Sequence, residues 1–198
     1  MRPKLLEDCV GQEELVISLE NQFTSGRIPH FYILHGPIGS GKTTFARILA
    51  MALQLGPKPV SPFSIPSEVW TKYNKYDIKE INAANQNGVD DVRAIIESVR
   101  YMPIAPSKAK VVILDEAHQL TAAAQNALLT ETEDVSKHVY YIFCTSNVSK
   151  IIPALQRRAY MMNPKALGTD DIYELLRKAA EHSDFESEVM PLLSLIHI

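Results

Sequence analysis

Gly36-Pro37-Ile38-Gly39-Ser40-Gly41-Lys42-Thr43-Thr44 stands between the apolar run FYILH and the amphipathic run TTFARILAMALQL. A short buried strand, a tight glycine turn and a helix begin a strand–helix alternation that the rest of the chain continues. The Gly-x-x-x-x-Gly-Lys-Thr spacing carries its own chemistry. Glycines let backbone N–H groups curl round a phosphate that a Cβ would obstruct. The helix that follows aims the positive end of its dipole at the same oxygens. Lys42 adds a full charge, and the Thr43 hydroxyl suits Mg²⁺. Gly36 to Thr44 is therefore read as a loop that holds the phosphates of a nucleotide.

Around this loop, Gln12 to Ser25 places Leu15, Val16, Leu19 and Phe23 near helical spacing, with Gly26 as a stop. DIKEI, KVVIL and HVYYIFC are read as the next strands, with a short one near AYMMN. Val89 to Arg100 and TAAAQNALLTE are read as the helices between them. This predicts an α/β domain over residues 1–164, a parallel sheet sandwiched by helices. Four prolines between Pro57 and Pro66 predict an irregular excursion within it. Residues 165–198 change character. Ile172, Leu175, Leu176 and Ala179 follow helical spacing after Thr169 as N-cap. The sequence stops at LLSLIHI before a third helix could close a core, so this second domain is expected to be incomplete.

Composition narrows the partners. The 198 residues, 46% hydrophobic, suit one sizeable domain. A formal net charge of −3 gives no bulk support for nucleic-acid binding, so any such contact must be local. Cys9 and Cys144 form neither a disulfide framework nor a zinc pair. The start MRPKLLEDC has no long apolar core, and no run approaches the roughly 20 apolar residues that span a bilayer. The reading is a cytoplasmic protein with no membrane partner.

Asp115 and Glu116 end the run VVIL. A strand tip places carboxylates at the C-terminal edge of an open sheet, where ligands bind. Asp115 would hold Mg²⁺, and Glu116 would orient and deprotonate an attacking water. DEAH also matches a helicase box, but such helicases need two recombinase-like domains, and this length cannot supply both. His118 is then left without a metal or catalytic role and is read as a helix-start residue. No guanine-reading NKxD pattern is present, which favours ATP.

These segments together resemble the clamp-loader branch of the AAA+ ATPases, most of all the gamma and tau subunits of bacterial DNA polymerase III and the small subunits of replication factor C. The resemblance runs from Arg2 to about Asn163. RPK…EDCVGQEEL, with Val10, looks like the family's adenine-side segment. GRIPHFYILHGPIGSGKTTFARILA and VVILDEAHQLTAAAQNALL follow the nucleotide-site segments, and EINAANQNGVDDVRAIIESV is the most specific match.

The resemblance implies further roles. The helix after NQNG would start beside primed DNA, with Arg93 one turn in as a phosphate contact, although Asp90 and Asp91 would repel a close phosphate. A polar sensor would end the fourth strand. A gapless match from Lys150 favours Ser146, while relatives with asparagine correspond to Asn147. In the position of a Ser-Arg-Cys motif stand Arg157, Arg158 and Ala159. Arg158 matches the arginine that reaches a neighbour's ATP site in trans. The chain also departs from the family. It lacks the four-cysteine module of gamma and tau, so no zinc is expected. Thr130 and Glu131 replace a basic residue after NALL.

The function implied is an ATPase subunit of a sliding-clamp loader, using ATP and Mg²⁺ in DNA replication. Its partners would be other loader subunits in a ring, the clamp and primer–template DNA. Residues 165–198 would be a partial helical lid. Two alternatives stand beside it: another AAA+ DNA motor, such as a branch-migration ATPase, and a loader subunit that only binds partners without hydrolysis.

Overall fold

The computed structural model describes residues 11–55, 77–104 and 107–173. Val10, Cys9, the proline-rich stretch 57–70 and Leu175, Leu176 and Ala179 of the expected second domain lie outside the described residues.

Five strands form one sheet: β1 Phe31–His35, β2 Ile78–Asn82, β3 Lys110–Asp115, β4 Val139–Thr145 and β5 Tyr160–Met162. Every pairing is parallel, and the order is β2-β3-β4-β1-β5. The central strands β1, β3 and β4 are buried almost throughout because helices cover both faces, while the outer β2 and β5 are partly exposed. Tyr32, Leu34, Val111, Ile113, Ile142 and Cys144 pack with α1 (Glu13–Ser25) and α2 (Lys42–Leu55). The alternate residues Phe31, Ile33, Val112, Leu114, Tyr141 and Phe143 pack with α3 (Val89–Val99), α4 (Ala122–Glu131) and α5 (Pro153–Arg158). The predicted α/β sandwich is present. Among the described residues no helix is long and apolar enough to cross a membrane.

The local signals act at the expected positions. Gly26 takes the left-handed conformation, φ 68°, that ends α1. Thr121 caps α4 by accepting the Ala124 N–H at 3.2 Å. Three details differ from the sequence reading. α5 has no counterpart there, since six residues opened by Pro153 are too few to show a period. His118 does not start a helix but lies within a 3₁₀ turn, Ala117–Gln119. Near the end, the helical turn begins at Thr169 rather than after it. Gly168 precedes it, its carbonyl accepting the Ile172 N–H at 3.0 Å and its N–H donating to Asp171 Oδ2 at 2.9 Å.

Strand order decides which residues meet at the sheet edge. β4 inserts between β1 and β3, so His35, Thr145 and Asp115 end neighbouring strands at one sheet edge. The Gly36 N–H donates to the Thr145 carbonyl at 3.3 Å, so the glycine loop leaves the sheet directly beside residues 145–147.

Candidate active site

The loop from Gly36 to Gly41 is shaped by two glycines for different reasons. Gly41 sits at φ 79°, a conformation costly for any side chain. At Gly36 a Cβ would lie 2.8 Å from the Pro164 carbonyl oxygen, so the returning chain closes over it. Lys42 is nearly buried, 8% exposed. Its ammonium donates to the carbonyls of Gly36 at 3.0 Å and Pro37 at 2.6 Å. The loop thus wraps around the lysine head, and the first N–H groups of α2, without intrahelical partners, open toward the same space.

Thr43 and Asp115 meet across 72 residues. The Thr43 hydroxyl donates to Asp115 Oδ2 at 3.0 Å. Asp115 Oδ1 accepts the Glu116 N–H, also at 3.0 Å. Gly39, Gly41, Lys42, Thr43, Asp115 and Glu116 line a cavity of about 420 Å³. That volume lies within the range of roughly 300–1,000 Å³ typical of small-molecule sites. An ammonium, a hydroxyl beside a carboxylate, and a helix N-terminus around one cavity fit a nucleotide's phosphates with Mg²⁺.

Glu116 is the one non-glycine residue with positive φ among the described residues, at 51°. Such a conformation costs about 1–3 kcal/mol and is found where surrounding structure enforces it. Its carboxyl oxygen Oε2 is enclosed, 3.2 Å from Nδ1 of His118. The His118 side chain is only 11% exposed.

Two contributors were missed in the sequence. Arg47 also lines the cavity and is held by Glu80 through Nε at 2.7 Å and Nη2 at 2.5 Å. These bonds hold its guanidinium above the usual arginine range, against partial desolvation. The available signal was its place four residues after Thr43, hence on the same helix face. Gln125, 3% exposed, donates to the carbonyls of Leu120 and Lys150 at 3.2 and 3.1 Å and accepts the Ile152 N–H at 2.8 Å. It ties α4 to the loop after β4. Gln125→Ala leaves those groups unpaired, and urea unfolding should show a loss of about 2–3 kcal/mol.

The remaining predicted residues are spread around this centre. Thr44 and Ile38 line the cavity, while Ser40 is buried behind it with its hydroxyl unpaired. Ser146 is exposed just past β4. The Asn147 carboxamide oxygen instead accepts the N–H and hydroxyl of Ser149 at 3.2 and 2.6 Å, capping a 3₁₀ turn, Val148–Lys150. Arg158 ends α5 with Nη2 2.6 Å from Glu133 Oε1. Arg93 is exposed on α3 and pairs with Asp90 at 3.3 Å. The Asp91 carboxylate accepts the Gly88 N–H at 3.1 Å, so a carboxylate occupies the start of α3.

A family described as "DNA polymerase III, delta subunit" matches residues 11–167. The chain belongs to this family. DNA polymerase III subunit gamma of Buchnera aphidicola is 30% identical over 98% of the chain and 53% of its own length. Subunit gamma/tau of Mycobacterium tuberculosis and subunit tau of Bacillus subtilis are each 33% identical, over 97% and 94% of the chain and 34% of their own lengths. The chain thus spans about half or less of these curated relatives. The resemblance to clamp-loader AAA+ proteins read from the motifs is borne out. Two solved structures from Thermotoga maritima share the fold. The RuvB Holliday junction branch migration motor has a TM-score of 0.65 at 24% identity, over 91% of this chain and 54% of that one. A DNA polymerase III gamma subunit-related protein has a TM-score of 0.57 at 20% identity, over 90% and 53%. At such identities they speak for the fold alone.

Proposed function

We propose that the chain is the ATPase part of a sliding-clamp loader subunit acting in DNA replication. The Thr43–Asp115 bond beside the buried Lys42 carries the catalytic half of this reading, because it assembles a magnesium–nucleotide pair of ligands from two distant segments. The gamma and tau names of the relatives carry the biological half. Lys42 and the backbone N–H groups at the head of α2 hold the phosphates, and Val10, in the segment that resembles the family's adenine-side stretch, is the proposed adenine contact. Thr43 and Asp115 hold Mg²⁺, which when bound neutralises charge on the phosphates. Glu116 orients the attacking water and takes its proton. The capping of a turn by Asn147 supports Ser146 as the polar group facing the nucleotide.

Arg158 acts on a neighbour's nucleotide, which makes hydrolysis depend on assembly into a ring. ATP between subunits holds the ring in the form that grips clamp and primer–template DNA, and hydrolysis releases the clamp. Arg93 is the proposed DNA contact, reached by exchanging its exposed pair with Asp90 for a phosphate. Such surface pairs are worth only about 0–1 kcal/mol.

Lys42→Ala removes a charge-assisted bond to phosphate. ATP affinity, read by equilibrium titration, should fall about 10- to 100-fold. The function itself is tested by the ATPase rate of the assembled complex with clamp and primed DNA. Stimulation that Lys42→Ala abolishes is the expected result. No stimulation, with Lys42→Ala indistinguishable from wild type, would sink the proposal. Stimulation by four-way junctions in preference to primed templates would instead favour a branch-migration motor, whose fold this chain shares.

A further inference from the structure

We propose that Arg47 and Glu80 form a charge-compensating pair that sets the balance between magnesium and nucleotide in the cavity, Glu80 cancelling a cation that would otherwise weaken the metal side. The inference rests on the reading of Thr43 and Asp115 as magnesium ligands.

Helix spacing and strand register put the pair on the metal side. Arg47 stands one turn beyond Thr43 on α2, so the two side chains share a helix face. Glu80 lies on β2 opposite Ile113, and Asn82 lies opposite Asp115. The bonds from Thr43 to Asp115 and from Arg47 to Glu80 show that both acids face α2. Arg47 lines the cavity, whereas Glu80 does not. The guanidinium thus presents its charge to the cavity, gripped by Glu80 from outside the lining through Nε at 2.7 Å and Nη2 at 2.5 Å. The hydrogen bonds to Glu80 hold it above the usual arginine range against partial desolvation, and the Asp115 charge acts in the same sense.

A bare cation at this place would work against the site. Lys42 already supplies positive charge for the phosphates, and a further cation near Asp115 repels a divalent metal. Arginine cannot shed its proton to relieve that repulsion. A carboxylate partner remains, and the matched forks of guanidinium and carboxylate fix it in place. The pair then carries little net charge, so Asp115 keeps its attraction for the metal. The two side chains are 36% and 34% exposed, so water screens the effect and keeps it moderate. The two partners act with opposite sign. Loss of Glu80 adds positive charge, which favours the bare nucleotide anion and disfavours the metal. Loss of Arg47 leaves a carboxylate and does the reverse.

The test is equilibrium binding. The chain is titrated with ATP in EDTA, and again across a series of magnesium chloride concentrations. Glu80→Gln should tighten ATP binding in EDTA and raise the magnesium concentration of half-maximal effect, each by about 3- to 10-fold, the reach of one screened charge. Arg47→Gln should move both quantities the opposite way by a similar factor. The double substitution removes one charge of each sign and should return both close to wild type. Added potassium chloride should shrink every shift. A bridge that only braces α2 against β2 gives another pattern, in which both single substitutions weaken ATP binding alike, or unfold the chain, and the double does no better. That pattern, or no shift in either single variant, would overturn the role of the pair alone. A wild-type chain whose ATP affinity ignores magnesium would instead overturn the reading of Thr43 and Asp115 beneath it.

Discussion

Arg158→Ala should lower the ATPase rate of the assembled complex by about 10³- to 10⁵-fold, the contribution of an arginine supplied in trans to phosphoryl transfer. The same subunit should bind ATP with wild-type affinity, because Arg158 lies on α5 and does not line its own cavity. Mixing gives the sharper measurement. A ring with one Arg158→Ala subunit should lose hydrolysis at the neighbour's site and keep it at the mutant's own. The partly exposed guanidinium rests on Glu133 at 2.6 Å. An exposed pair of this kind is worth about 0–1 kcal/mol, so exchanging Glu133 for a phosphate costs little. Equal loss of ATP affinity and rate in the mutant subunit would place Arg158 in its own site and refute the trans assignment.

Glu116→Gln should separate binding from chemistry. The carboxamide keeps the shape of the side chain and loses the basicity, so turnover in the complex should fall about 10²- to 10⁴-fold. ATP affinity should stay within a few-fold of wild type, since Lys42, Thr43 and Asp115 are untouched. Rapid-quench hydrolysis beside equilibrium ATP titration would show this split. Hydrolysis surviving at near wild-type rate would exclude Glu116 as the base. A wild-type complex without measurable hydrolysis would instead favour the subunit that only binds partners. The intact set of Lys42, Thr43, Asp115 and Glu116 argues against that outcome, because such a scaffold has no use for a base beside the magnesium ligands.

What could be read from the sequence was what neighbouring residues decide among themselves. Gly36 to Thr43 spells a phosphate loop because backbone conformation, charge and helix start are all specified within a few residues. The strands FYILH and KVVIL announce burial on both faces because nearly every position is apolar, and the α/β sandwich comes from their alternation with helices. Thr121 and Gly26 mark helix ends through contacts within one turn.

Tertiary structure alone decided what depends on residues far apart in the chain. The insertion of β4 between β1 and β3 leaves no local trace, since strand order is set by how crossover helices pack. Yet it sets Thr145 beside the glycine loop, and the sheet as a whole brings Thr43 to Asp115. Gln125 and Arg47 read as an ordinary helix amide and an ordinary surface cation until folding buries one and presents the other with Glu80. His118 is the clearest case. In the sequence it is one more polar residue after a strand. Folding sets its Nδ1 3.3 Å from the Thr145 hydroxyl at the end of β4 and 3.2 Å from Glu116 Oε2, and its Nε2 3.1 Å from the Gln119 amide. An imidazole takes its role from the groups facing its two nitrogens, and only the folded chain supplies those.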